Sequence, residues 1–133
     1  MESKTIVTIE ECAKRSHDGS IDFGSVVMKL VSVGVESYHT DFRRGETTYY
    51  LPNGESHVVA FPAGHVTVAE NFVASEIEAA VRGAQAGTVQ YPEFKTRTMA
   101  AGCIGYCVWI AGGNVQYFGR RGQVHTEHFP GQK

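Results

Sequence analysis

The sequence resembles itself at an offset of 68 residues, and this internal similarity constrains the fold more than any other feature. Without a gap, residues 6–63 align with residues 74–131 at eleven identical positions, where average residue usage predicts roughly four. The identical pairs are Ile9/Ile77, Glu10/Glu78, Gly19/Gly87, Gly34/Gly102, Tyr38/Tyr106, Gly45/Gly113, Tyr49/Tyr117, Gly54/Gly122, His57/His125, Phe61/Phe129 and Pro62/Pro130. We therefore predict an internal duplication within a single domain, residues 1–133, whose halves are joined by a linker at 64–73.

Each half begins with two predicted helices. Ile9, Cys12 and Ala13 recur at the spacing of one helical face, and the second half repeats this pattern. Capping boxes that start at Thr8 and Ser75 predict the N-terminal end of the first helix in each half. A second helix follows in each half.

Three predicted strands follow the helices in each half. After Gly34 and Gly102 the apolar period changes to alternation, and Asn53-Gly54 is the strongest short-range hairpin signal in the chain. The sequence thus predicts an α+β fold made of a duplicated α-α-β-β-β unit. Its antiparallel sheet of about six strands carries the helices on one face and has a pseudo-twofold axis.

Alternation along the predicted strands assigns residues to the two faces of the sheet. Tyr38 and Tyr49, with their equivalents in the second half, are predicted to face the helices. The opposite face is predicted to bind a ligand or a partner through Tyr50, His57, Trp109, Phe118 and His125. This face has more large aromatic side chains than solvation requires. The alternative is a face partly covered by the linker or by a dimer partner.

The repeated histidines, His57 and His125, are the strongest candidates for chemistry. For a histidine-centred site they are expected to meet near the twofold axis that relates the halves, as proton carriers or ligands; the alternative is that each caps a hairpin or fills the same packing niche in its half. GxSxG, Walker and GxGxxG motifs are absent from the sequence. No catalytic residue, metal site or cofactor is therefore predicted, and a noncatalytic protein is favoured without excluding an enzyme.

Charge and cysteine usage exclude several classes of partner. The net charge is −2 and the pI is about 6.3, so we predict neither a nucleic-acid partner nor a membrane partner. No apolar run approaches the roughly 18 residues of a membrane span, and no signal-peptide core follows the start. The three cysteines contain no CxxC pair, which favours reduced thiols and a cytoplasmic location.

The whole-chain pattern resembles the YdfO-like family, domain-of-unknown-function family 1398, small bacterial proteins often found in prophages. The residues that carry the resemblance are Leu30, Val33-Gly34-Val35, Tyr38, Gly45-Glu46-Thr47-Thr48-Tyr49-Tyr50, Asn53-Gly54, Tyr91-Pro92-Glu93-Phe94, Ala100-Ala101-Gly102 and Trp109. The resemblance implies a YdfO-like α+β fold and no established activity, cofactor or catalytic residue. Where members often have a cysteine after Tyr-Pro-x-Phe, this chain has Lys95, which argues against a catalytic thiol there.

Three functions stand as hypotheses. The first is a noncatalytic module that binds a small ligand or a protein through the open sheet face. The alternatives are an enzyme with a histidine-centred site near the pseudo-twofold axis and a phage-related structural or assembly protein, since some family members are labelled phage envelope proteins. The expected partner is an unidentified small molecule or protein, and the expected state is a monomer or a weak homodimer.

Overall fold

Four helices and six strands follow one another in the order that the sequence predicts. In the computed structural model, which describes residues 1–62 and 67–130, the arrangement α-α-β-β-β occurs twice along the chain. The elements are α1 (Ser3–Asp18), α2 (Phe23–Ser32), β1 (Ser37–Asp41), β2 (Glu46–Tyr50), β3 (Ser56–Ala60), α3 (Ala74–Gln85), α4 (Tyr91–Ala100), β4 (Cys103–Trp109), β5 (Asn114–Gly119) and β6 (Val124–His128).

The six strands form one antiparallel sheet in the order β3-β2-β1-β4-β5-β6. The first strand of each half lies at the centre, and His39 of β1 pairs there with Cys107 of β4. These two residues are 68 positions apart, which is the offset of the internal similarity. The predicted α+β fold is thus confirmed, whereas descent of the two halves from a duplicated unit stays a prediction.

The turns of the two halves also correspond. Among the described residues, the eight glycines with a positive φ fall into four pairs that are 68 residues apart. Gly34 and Gly102, with φ of 86° and 87°, follow α2 and α4, where the left-handed conformation ends a helix at low cost only for glycine. The glycine pairs in the sequence therefore mark real backbone requirements.

The hydrophobic core lies between the helices and one face of the sheet, which we call the inner face. Ile9, Leu30 and Ile77 from the helices, Val108 from the sheet and Phe42, which directly follows β1, are fully buried. Burial alternates along β2 and β5, because successive side chains of a strand point to opposite faces. The helix-facing residues predicted from alternation are confirmed for β1, β2, β4 and β5.

The hairpin between β2 and β3 differs from the prediction by one residue. A two-residue Asn53-Gly54 loop would place His57 opposite Tyr50. Instead, the backbone N–H of Leu51 donates to the carbonyl of Glu55, so the loop has three residues, 52–54, and its last residue has a positive φ. This shift of one residue moves every β3 side chain to the other face, and the β5–β6 hairpin has the same geometry.

The predicted capping boxes are wrong. Helix α1 begins at Ser3, so Thr8 lies inside the helix, and α3 begins at Ala74, one residue before Ser75. Neither helix has a side-chain cap. The earlier start of α1 buries Thr5, whose hydroxyl contacts the Val33 carbonyl at 3.4 Å, and this tertiary packing outweighs a local cap.

Of the predicted linker at 64–73, residues 64–66 lie outside the described part of the chain. Residues 67–73 lie alongside the C-terminal end of α4. The N–H of Ala69 donates to the carbonyl of Met99 there, and the N–H of Val73 donates to the carbonyl of Ala101. Among the described residues, no helix combines the length and the hydropathy that are needed to cross a membrane.

Candidate functional site

A cavity of about 710 Å³ separates part of the helix layer from the inner face of the sheet. We call it the tyrosine pocket, because five tyrosines line it: Tyr38, Tyr49, Tyr91, Tyr106 and Tyr117. Four of them come from β1, β2, β4 and β5, the central strands of the sheet, and the fifth is the first residue of α4. The alternation of the strands directs the four sheet tyrosines to one side.

Equivalent parts of the two halves enclose the tyrosine pocket. The turn between α1 and α2 and the turn between α3 and α4 both contribute to its lining. These two turns are in contact. The side chain of Gln90 packs so closely on Gly19 that a Cβ added to Gly19 would lie 2.6 Å from Oε1 of Gln90. The pocket therefore spans both halves and depends on their assembly.

Aromatic contacts organise the sheet side of the pocket. The rings of Tyr38 and Tyr49 stack with centroids 5.2 Å apart, and those of Tyr106 and Tyr117 are 5.7 Å apart. The hydroxyl of Tyr106 donates to the hydroxyl of Tyr91 at 2.8 Å, which ties the sheet to α4. The sheet tyrosines thus present both flat ring surface and hydroxyl groups.

Three of these hydroxyl groups have no hydrogen-bond partner among the described residues, namely those of Tyr38, Tyr49 and Tyr117. Their residues are only 4–6% exposed. In the described residues, every fully enclosed side-chain nitrogen or oxygen has a hydrogen-bond partner. The three hydroxyls have none, so they are not fully enclosed and must reach open space. Because the rings are buried and line the pocket, that open space is the pocket itself.

Burial controls the ionisation of the pocket tyrosines. Desolvation raises the pKa of Tyr38 and Tyr117 well above the ordinary value, and neighbouring tyrosines add to the effect. The pKa of Tyr49 is raised by the same cause. Their hydroxyls therefore stay protonated at neutral pH, as neutral groups that can donate and accept hydrogen bonds.

The two ends of the pocket differ in their exposure. At one end Phe61 is buried beneath the ring of His17, at 4.7 Å, and Nζ of Lys95 lies 4.2 Å from the centre of its ring. At the other end Phe23 meets Phe129 edge-on at 5.6 Å and is 41% exposed. The Phe23–Phe129 end is therefore the more open of the two.

A cluster of charged side chains borders the pocket at β6. Glu127, whose side chain is 11% exposed, accepts one hydrogen bond from Arg82 at 2.9 Å and lies 2.6 Å from Nε2 of His125. Glu78, His125 and Glu127 have ligand atoms within 4.8 Å of one another. The Arg82 guanidinium lies 3.8 Å from Glu78 as well. Both carboxylates thus already face a fixed positive charge, which disfavours a metal cation there.

The predicted aromatic residues Tyr50, Trp109 and Phe118 lie on the outer face of the sheet, opposite the pocket. Tyr50 is 40% and Trp109 41% exposed, and Phe118 is half-buried. The indole N–H of Trp109 donates to Oε1 of Gln116 at 2.8 Å. Tyr50 and Trp109 flank Ser37 in one cross-strand row, whereas Phe118 lies in another row opposite Gly105.

The structure corrects the placement of His57 and His125. Both lie on the inner face, since His57 pairs with Tyr49 and His125 with Tyr117. They occupy the opposite edge strands β3 and β6, about 24 Å apart at five strand spacings. The expectation that they meet near the pseudo-twofold axis is therefore wrong, and each binds its own neighbours, Glu10 at 3.1 Å in the case of His57.

The residues that sequence reasoning missed are the pocket tyrosines, which it assigned to the core. Their signal was present in the composition of the inner face. The inner face carries many hydroxyl groups, from its tyrosines and from Thr40 and Thr47, whose hydroxyls are 2.9 Å apart. A purely structural core would have mainly aliphatic side chains on this face.

The fold and this pocket define an α+β protein with a tyrosine-lined cavity between its helix layer and its sheet. The chain belongs to the DUF1398 family of proteins of unknown function, whose model matches residues 7–128. No curated protein matches the sequence.

Proposed function

We propose that this protein binds a small molecule in the tyrosine pocket and that binding, rather than catalysis, is its biochemical activity. The observation that carries the proposal is the set of buried tyrosines whose hydroxyls, at Tyr38, Tyr49 and Tyr117, point into the cavity without a partner among the described residues. Buried polar groups are normally hydrogen-bonded, so these three positions are suited to polar atoms of a ligand.

The dimensions and composition of the pocket support the proposal. Ligand sites typically have volumes of about 300–1,000 Å³ and combine aromatic walls with a few polar groups, and the cavity of about 710 Å³ falls in this range. Catalysis is less well supported. His57 and His125 lie on opposite edges of the sheet, so they do not form a shared histidine-centred site.

A pair of neighbouring substitutions on β3 tests the proposal. Val59 lines the pocket, whereas Val58 is 49% exposed on the outer face. A small-molecule library is first screened for compounds that raise the melting temperature of the wild type. We expect Val59→Trp to fill the cavity and to abolish the rise in melting temperature that these compounds cause. Val58→Trp should retain it. A library without any stabilising compound, or equal shifts in both variants, would contradict the proposal.

The location of the ligand is tested by the intrinsic fluorescence of the protein. Trp109 is the chain's single tryptophan and lies on the outer face, away from the pocket. A ligand in the pocket should leave the emission maximum of Trp109 unchanged. A shift of that maximum would instead place the ligand on the outer face, with Tyr50 and Phe118.

A second candidate function is self-assembly through the outer face. Eighteen positions of the described strands point to this face; none of them is lysine or arginine, and two, Asp41 and Glu46, are acidic. Protein interfaces are similarly depleted of charge and enriched in aromatic residues. The face measures about 30 by 20 Å from the strand spacings, or roughly 600 Å² per copy, near the lower limit for a stable dimer. A second copy of this chain, held weakly, fits this area.

Sedimentation velocity with two lysine variants tests self-assembly. The wild type should show a sedimentation coefficient that rises with concentration. Thr48→Lys, which charges the outer face, should remain a monomer. Met28→Lys adds the same charge on α2, at a residue that is 75% exposed, and should behave like the wild type. A wild type that stays monomeric at millimolar concentration would exclude this candidate.

We also propose that the protein acts in the cytoplasm of a bacterium that carries a prophage. Its three cysteines are unpaired, as is usual for a reducing compartment, and the prophage setting follows from the family resemblance. Fractionation of cells that express the chain from its native locus tests the location, and recovery outside the cytoplasmic fraction would contradict it.

A further inference from the structure

We propose that the ligand of the tyrosine pocket is a neutral, planar aromatic molecule that carries a hydrogen-bond acceptor, such as a carbonyl oxygen, at its edge. This inference rests on the proposed function, because it names the chemical class that the same site takes. It is carried by the charges of the lining, the geometry of the rings and the positions of the hydroxyls.

The charges of the lining disfavour an anionic ligand. No lysine or arginine is among the described residues that line the pocket, whereas Asp22 and Glu127 are. The ammonium group of Lys95 lies over the ring of Phe61 at one end of the pocket and is not part of the lining around the sheet tyrosines. His17 does not supply a positive charge at neutral pH, because burial lowers its pKa. A phosphate or carboxylate group among the sheet tyrosines would therefore lose its hydration without gaining a countercharge from the lining, which is costly.

The carboxylates of the lining do not favour an organic cation either. Glu127 is already neutralised by Arg82 and lies against His125. Asp22 caps α2, where its carboxylate accepts the N–H of Ser25 at 2.7 Å, and it lies at the exposed rim. A cationic ligand would have to break one of these arrangements, so the neutral class is favoured.

The rings make the pocket suitable for a flat ligand. Tyr38 and Tyr49 stack at an interplanar angle of 29°, and Tyr91 and Phe94 stack at 23° on the helix side. Phe94 also contacts Tyr117 of the sheet at 6.0 Å. Aromatic rings from the helix layer and from the sheet thus both belong to the lining, and such a lining favours planar ligands, whose rings pack on aromatic side chains in offset or edge-to-face geometry.

The hydroxyls define where the polar atoms of the ligand lie. Those of Tyr38, Tyr49 and Tyr117 open into the pocket, and burial raises the pKa of each residue. They therefore remain O–H donors over the whole physiological range. A ligand with a carbonyl oxygen or a ring nitrogen at its edge satisfies at least one of these donors, whereas a pure hydrocarbon satisfies none.

Four probes that share one carbon skeleton test the class. They are naphthamide, which is neutral, naphthoate, which is anionic, naphthylmethylammonium, which is cationic, and decalin carboxamide, which is neutral but not flat. Binding is followed by chemical-shift changes of the protein amides. We expect naphthamide to bind at least about tenfold more tightly than each of the other three.

Tyrosine variants then test the role of the hydroxyls. Tyr38→Phe and Tyr117→Phe keep the rings, and each should weaken naphthamide binding about fivefold, the effect of one lost hydrogen bond. Tyr50→Phe on the outer face is the matched control and should have no effect. Equal affinity in all three variants would overturn the assigned donors.

The outcomes separate this inference from the function on which it rests. Tighter binding of naphthoate or of the ammonium probe would overturn the neutral class, and equal binding of the decalin amide would overturn planarity. If naphthamide does not bind while other compounds bind to the wild type and not to Val59→Trp, the neutral, planar ligand class is wrong and the proposed binding function stands. If no compound of any kind binds, both are wrong.

Discussion

The hydroxyl of Tyr106 donates a hydrogen bond to the hydroxyl of Tyr91 in the wall of the pocket, at 2.8 Å. This contact joins β4 to the first turn of α4 in a part-buried position. We expect Tyr91→Phe to lower the free energy of unfolding by about 1 kcal/mol, the net value of such a bond, in urea denaturation. Tyr50→Phe removes an exposed hydroxyl on the outer face and should change stability by less than about 0.5 kcal/mol. Equal losses in both variants would contradict this role.

The buried tyrosines predict a loss of stability at alkaline pH. Desolvation by burial raises the pKa of Tyr38, Tyr91 and Tyr117 in the folded state. Their neutral form is therefore stabilising below about pH 10, the pKa in the unfolded chain, and this stability is lost as the pH rises toward the folded-state pKa. Each contributes a slope of up to about 1.4 kcal/mol per pH unit in that window.

Unfolding free energies of the wild type and of Tyr38→Phe, measured in urea between pH 8 and pH 11, check this expectation. The variant lacks one titrating group, so its stability should decline less steeply above about pH 10. The two proteins should have parallel pH profiles below that value. Parallel profiles over the whole range would show that Tyr38 ionises as freely when folded as when unfolded.

The cysteines are expected to be unreactive in the folded protein. Burial raises the pKa of Cys103 and of Cys107 to about 11, and it also raises the pKa of Cys12. Thiolates are the reactive form, and they form only a minute fraction of these groups at neutral pH.

An aromatic disulfide reagent should therefore detect three thiols in denaturant and no rapidly reacting thiol in the native state. Cys107 is half-buried, whereas the other two are fully buried, so raising the pH to about 9 should accelerate Cys107 first. The variant Cys107→Ser should lack this accelerated thiol reaction. A full equivalent that reacts at once at neutral pH would contradict the assignment.

Gly34 and Gly102 provide a matched test of crowding. Both have a positive φ, but a Cβ on Gly34 would meet nothing within 4 Å, whereas one on Gly102 would lie 2.3 Å from the carbonyl oxygen of Asn71. Gly34→Ala should cost about 1 kcal/mol from backbone strain. Gly102→Ala should cost about 3 kcal/mol or more, because the backbone of Asn71 must also move. Thermal and urea unfolding measure the difference, and equal costs would contradict the close packing.

The element order and the two faces of the central strands were predictable because local signals agree with the tertiary fold. Gly34, Gly102 and Asn53-Gly54 mark turns that need a special backbone geometry, and the alternation around Tyr38 and Tyr49 marks the inner face. The starts of α1 and α3 were not predictable from capping signals, because neither helix has a side-chain cap. The first turns of α1 instead make tertiary contacts, such as that of the buried Thr5 with Val33.

The candidate site was predicted less well than the fold. The side on which His57 lies depends on whether its hairpin loop has two or three residues, and Asn53-Gly54 is compatible with both. The pocket depends on gaps between packed layers. The sequence shows that Tyr106 points inward, but it does not show that the helices stop short of filling the space above it.

The central position of β1 and β4 has a consequence for synthesis and folding. Every other strand pairing joins consecutive strands, whereas partners in the β1–β4 ladder are 64 to 72 residues apart. Such distant contacts form late, since they close the longest loop. On the ribosome, the first three strands are complete well before residues 103–109 emerge. During that interval the edge of β1 that later pairs with β4 is unpaired, so we expect strand exchange between copies to be the main folding error of this chain.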